Sequence, residues 1–193
     1  MPPKVRITKE MIIEAGFAIV RGEGADALNA RTIAQRLGCS TQPVLYQFAT
    51  VEEVRKAVYA HADAFHSGYI LQGLEESGMP MLTLGLNYIR FAAEERRLFR
   101  FLFQTSGLGS SNVMALADDS ALSPMLELLR QTAHVTPEAA RRIFLHLFLT
   151  AHGYASLLAN NPIHYNENEA ALLLERAFTG ACAAETIAKE DRP

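Results

Sequence analysis

The sequence predicts an all-α protein: an N-terminal three-helix head followed by a larger helical bundle, about nine helices in all. Three observations predict it. No segment sustains apolar–polar alternation with β-branched enrichment, so strands are not expected. Helix-start signals recur down the chain at Thr8, Asn29, Thr50, Ser123-Pro124 and Thr136-Pro137-Glu138. Between them, apolar residues repeat at three- and four-residue spacing, as on a buried helical face. The expected division is a head over residues 1–50 and a body over residues 51–193.

The head begins with a helix from Lys9 to about Arg21, capped by Thr8, with Ile12, Ile13, Phe17 and Val20 facing the core. Ahead of it, Pro2, Pro3, Lys4 and Arg6 read as a basic arm. Gly22-Glu23-Gly24 ends this helix. From Leu28 to Phe48 the chain reads as short helix, glycine turn, short helix. Asn29 is the cap of the first, with Ile33, Ala34 and Leu37 on one face. Gly38 stands where a helix ends in a left-handed residue. Cys39 plugs the corner, and Ser40 or Thr41 caps the second helix. With Ser40 as cap, its hydroxyl is expected on the Gln42 N–H, because Pro43 has none. Val44, Leu45 and Phe48 are expected to pack back on the first helix. This layout is a helix-turn-helix, a motif that places its second helix in a DNA major groove.

In the body, Thr50 and Glu53 form a capping box for a helix reaching Tyr69 or beyond, carrying the apolar residues Val51, Val54, Val58, Ala62 and Phe65. Pro80 starts the next helix. After the charged run Glu94-Glu95-Arg96-Arg97 comes a helix that is apolar nearly all round. Gly107 to Asp119 reads as a loop; its GLG is no phosphate fingerprint, since no strand precedes it. Ser123-Pro124 opens a helix to about Ala133. Thr136-Pro137-Glu138 opens another that Asn160-Asn161-Pro162 stops, and a last helix runs from about Asn168 to about Lys189. The helix from Pro137 to Ala159 is too apolar for a monomer's surface. Dimerisation through the helices around 137–159 and 168–188 is the expected cover.

Composition narrows the function classes. Of 193 residues, 49% are hydrophobic and 20% charged, as expected for a soluble globular protein with a real core. Cys39 and Cys182 suggest neither a disulfide framework nor a metal set, and no apolar run reaches membrane-spanning length, so a cytoplasmic protein without membrane partners is expected. The net charge of −3 is unevenly spread: residues 1–60 carry an excess of two positive charges, on the side of the helix-turn-helix. The six histidines show no i, i+4 metal pair, so no metal is expected. There is no nucleophile with its base, no carboxylate pair and no cofactor loop; an enzyme and a cofactor are not expected.

At this point the chain resembles the TetR/AcrR family of transcriptional regulators. The family pattern L-T-x-R-x-I-A-x-x-x-G-V-S-x-x-x-L-Y-x-H-F stands here as Leu28-Asn29, Arg31, Ile33-Ala34, Gly38-Cys39-Ser40, Leu45-Tyr46 and Phe48. In the body, Tyr88-Ile89-Arg90-Phe91-Ala92, Leu98-Phe99-Arg100 and His152-Gly153 look like one C-terminal subtype. Two positions depart: Gln47 replaces a frequent His, and Val51 a frequent phosphate-contacting Lys. The resemblance implies a homodimer on double-stranded operator DNA, a repressor released by a small molecule. It implies DNA contacts from Arg31, Thr32, Thr41, Gln42 and Tyr46, with Ser40 at the helix start. The aromatic cluster suggests an apolar or aromatic effector, held by Tyr88, Phe91, Phe99, Phe103 and Phe148 with His146 or His152 as polar handle. The alternative is a helical ligand-binding or adaptor protein whose helix-turn-helix has lost DNA.

Overall fold

A computed structural model describes residues 6–104 and 120–190, except the side chains of Ala121 and of residues 187–190. Pro2, Pro3 and Lys4 of the basic arm and the Gly107–Asp119 loop lie outside the described residues. Among the described residues the fold is all-α, with nine α-helices and two short 3-10 turns. The helices are α1 (Lys9–Glu23), α2 (Ala30–Arg36), α3 (Thr41–Gln47), α4 (Val51–Ile70), α5 (Pro80–Glu94), α6 (Arg96–Phe103), α7 (Ser123–Ala133), α8 (Pro137–Asn160) and α9 (Glu167–Glu190). No helix among them is long and apolar enough to cross a membrane.

The chain divides into two compact units: Met1–Gly68 with Glu95–Ser106, and Tyr69–Glu94 with Gly107–Pro193. The first unit thus holds α1 to α3, most of α4, and α6. Thr8 caps α1 by accepting the Met11 N–H at 3.3 Å. The helix continues through Gly22 and stops at Gly24, whose φ of +101° a side chain would resist. The connection to α2 contains a 3-10 turn, Ala25–Ala27, that the residue pattern did not announce.

Close approach of α1 and α4 depends on Gly16: an added Cβ would lie 2.6 Å from Val58 Cγ2. Around that contact Ile12, Ile19, Ile33, Val44, Val58 and Leu98 are buried, and Phe17 meets Phe65 edge-on at 5.4 Å. Glu95 accepts from Arg21 Nε at 2.9 Å, tying the start of α6 to the end of α1. Thr50 accepts the Glu53 N–H at 3.1 Å as expected, but Glu53 answers at Ala49 N (2.9 Å), one residue earlier than a regular capping box.

His66, 6% exposed on α4, meets the Phe103 ring at 5.1 Å, and burial lowers its pKa to about 4. Above pH 7 the ring is neutral folded or unfolded. Below that the unfolded chain takes the proton first, so stability falls with pH until the folded ring titrates. Between pH 7 and pH 5 this group alone is expected to remove roughly 2 kcal/mol. Urea unfolding at the two pH values checks it: a His66→Leu variant should lose less stability by that amount, and an equal loss contradicts the account.

In the second unit α8 packs against α5, α7 and α9. Gly85 lets α5 approach α9, since an added Cβ would sit 2.8 Å from Leu174 Cδ1. Asn87, buried on α5, donates through Nδ2 to the carbonyls of Ile70 (3.2 Å) and Gln72 (2.8 Å), satisfying acceptors at the end of α4. Leu129, Ile143, Phe144, Leu145 and Ala181 form the core where α7, α8 and α9 meet. Arg142 and Glu185 bond α8 to α9 by two parallel contacts of 2.7 Å.

Candidate functional site

The helix-turn-helix is built by its caps. Asn29 Oδ1 accepts the N–H groups of Arg31 (3.0 Å) and Thr32 (3.1 Å), and Thr32 Oγ1 accepts the Asn29 N–H at 3.2 Å. Replacing Asn29 with Ala is expected to cost about 1 kcal/mol of stability. Urea unfolding measures it; an unchanged midpoint would show the reciprocal cap to be idle. The turn closes α2 with two further bonds. Gly38 takes φ +64°, its N–H reaches Gln35 O at 3.2 Å, and the Cys39 N–H reaches Ala34 O at 3.0 Å. That pair of bonds is the Schellman arrangement, and only a residue tolerant of left-handed backbone fits its centre.

Val44 on α3 and Phe48 just after it are buried, as are the α2 residues Ile33 and Ala34. Leu45, expected in that core, is 49% exposed. At 100° per residue it lies between Thr41 and Tyr46, on the face opposite Val44's neighbour Gln47. Thr41, Gln42, Leu45 and Tyr46 therefore form one outward face, on which Tyr46 is 81% exposed. Ser40 is the N-cap of α3, but its side chain makes no capping bond; the expected bond to Gln42 is not formed. Its exposed hydroxyl is left on the outward surface at the helix start.

Arg31 is exposed at the first turn of α2. Thr32 is half-buried and its hydroxyl donates to Ala27 O at 2.6 Å, so its side chain serves the cap. Gln47 acts within the head, where Nε2 donates to Ile7 O at 3.0 Å and fixes the segment that follows Arg6 to the end of α3. At the start of α4, Val51 is exposed, and the carboxylates of Glu52 and Glu53 already occupy the first turn. They oppose a phosphate there.

The six aromatic residues expected around an effector fall into two groups. Tyr88, Phe148 and His152 come together in the second unit. Tyr88 Oη lies 2.8 Å from His152 Nδ1, and the Phe148 ring is 6.0 Å from Tyr88 and 5.5 Å from His152. Burial raises the Tyr88 phenol and lowers His152, so both groups are neutral, and the imidazole tautomer sets which of the two donates. Phe91 is fully buried in the same unit, against Tyr69 at 5.3 Å. Phe99 and Phe103 belong to the first unit, 4.9 Å apart, with Phe99 fully buried.

A half-open cavity of about 230 Å³ does occur in the second unit, at a place none of these six residues lines. It lies at the start of α5 beside α7, α8 and α9, walled by Met79, Met81, Leu82, Leu147, Leu174 and Phe178, with Thr132 and Glu175 as its polar side chains. Nothing in the helical spacing pointed there. Among the described residues no three of His, Cys, Asp and Glu cluster as a metal site would require.

A search of curated proteins and a search of solved structures return no match. Residues 81–180, more than half of the chain, match the family model described as tetracyclin repressor-like, C-terminal domain. With a helix-turn-helix ahead of that domain, the chain belongs to the TetR family of transcriptional regulators.

Proposed function

We propose that this regulator is a homodimeric DNA-binding protein, most simply a repressor that leaves its operator when a small apolar or aromatic molecule binds the body. The observation that carries the DNA reading is the outward face of α3. Thr41, Gln42 and Tyr46 present hydrogen-bonding groups there, and Leu45 presents an apolar surface suited to a thymine methyl. Tyr46 and Arg31 are assigned to phosphates, and Ser40 and Thr32 to the two helix starts that set the register. DNA recognition is assigned to residues 1–50 and effector binding with dimerisation to residues 51–193. That functional division is narrower on the DNA side than the first compact unit.

Dimerisation is supported by the outer faces of α8 and α9. Leu149 and Leu157 on α8 are about half exposed, as are Leu172 and Leu173 on α9. Gly153 lies between the first pair, and an added Cβ at Gly153 or Gly180 would meet nothing within 4 Å. Glycine weakens a helix interior, so two glycines with open space above them fit a partner's close approach. The effector is assigned to the body, with Tyr88, Phe148 and His152 as one aromatic-polar contact set. Regulators of this family are not enzymes, and a cytoplasmic location suits the role.

The reading is tested by incubating the full chain with sheared genomic DNA, sequencing what is retained, and then eluting with pools of small molecules. Retention of a few discrete fragments, released by some pools, is the expected result. The adaptor reading, in which the degenerate helix-turn-helix binds no DNA, is favoured instead if no fragment is enriched.

A further inference from the structure

We propose that the cavity at the start of α5 binds a fragment-sized molecule with an apolar body and a single cationic nitrogen. The size comes first. At about 230 Å³ the space is smaller than the roughly 300–1,000 Å³ of drug-sized sites, which suits a fragment. The walls fix the body of the ligand. Leu82, Leu147, Leu174 and Phe178 are apolar, and Met79 and Met81 add polarizable thioethers that adapt to an irregular shape.

The polar atoms fix its head. Glu175 is exposed and brings a full negative charge to the lining. Thr132 has committed its proton, since Oγ1 donates to Leu128 O at 2.8 Å, so toward a ligand it acts as an acceptor. The thioether sulfurs also only accept. Side chains that accept and carry negative charge select a donor and a cation. One influence opposes this: α5 begins at Pro80, and a helix start carries a partial positive charge of about one half. The full charge of Glu175 outweighs it. A cation is selected over a neutral isostere by up to about fivefold, the upper end for an ion pair that stays in contact with water.

This site is distinct from the Tyr88–His152 contact set. Only its consequence for DNA rests on the regulator reading; occupancy itself does not. The test therefore omits DNA. Calorimetric titration of the full chain compares three ligands of one length: octylammonium, 1-octanol and octanoate. Octylammonium is expected to bind tighter than octanol, by up to about fivefold, with octanoate weakest. In a Glu175→Gln variant, a surface change that leaves the fold intact, octylammonium and octanol are expected to bind alike. Equal or tighter binding of octanoate overturns the proposal, as does a preference for octylammonium that survives in the variant. Absence of binding by all three at millimolar concentration overturns it too. Adding octylammonium to a chain–DNA complex then reads the other question: binding without DNA release would count against the regulator's use of this site and leave the site itself standing.

Discussion

A Gly153→Arg variant is expected to be a folded monomer that has lost operator binding by about a hundredfold or more, since joining two heads multiplies affinity by roughly 10²–10⁴. The effect is steric and local. Position 153 lies in the middle of α8, and among the described residues nothing outside its own stretch of helix backbone comes within 4 Å of an added Cβ. Arginine also has a higher helix propensity than glycine, so α8 itself gains. The loss is expected to come from a second chain, whose close packing on Leu149, Gly153 and Leu157 the new side chain would block. Light scattering at micromolar concentration reads the mass and thermal unfolding reads the fold. A variant that remains dimeric would place the subunit contact elsewhere.

Tyr46→Ala is expected to weaken operator binding by roughly a hundredfold while leaving thermal stability unchanged. The side chain is 81% exposed, so its removal uncovers little core. A hydrogen bond to a charged phosphate is worth about 1.5 kcal/mol at the low end of its range, and a dimer loses it twice, giving about 3 kcal/mol at 1.4 kcal/mol per tenfold. Tyr46→Phe separates the hydroxyl from the ring and is expected to account for most of the loss. If both variants bind the operator as the parent does, Tyr46 does not touch DNA.

The head was legible because its signals are local. Asn29, Gly38 and Thr8 each act within five residues of their own position, and the structure forms the bonds that their types allow. Leu45 shows the limit. On α3 the adjacent apolar residues Val44 and Leu45 lie about 100° apart, and the pattern alone does not say that only Val44 turns to the core while Leu45 stays half exposed. Ser40 shows another, because a cap residue can take its position without making its side-chain bond. The body was legible as helices but not as a site. Phenylalanine spacing predicts that Phe99, Phe103, Phe91 and Phe148 are buried, yet their partners are set by how helices assemble. Tyr88 and His152 meet across 64 residues, which no spacing rule reaches. The cavity was invisible for a related reason: it is defined where four elements fail to fill the space beside Gly78–Leu82.

Selection of bound duplexes from a random pool by the full chain tests the central claim most directly. The expected outcome is one enriched inverted repeat, its half-site centres about 34–36 Å apart or a multiple of that spacing, with enrichment lost in Tyr46→Ala and Gly153→Arg. A pool that stays random after repeated rounds, or a single half-site bound by one copy, would contradict a two-headed DNA-binding regulator.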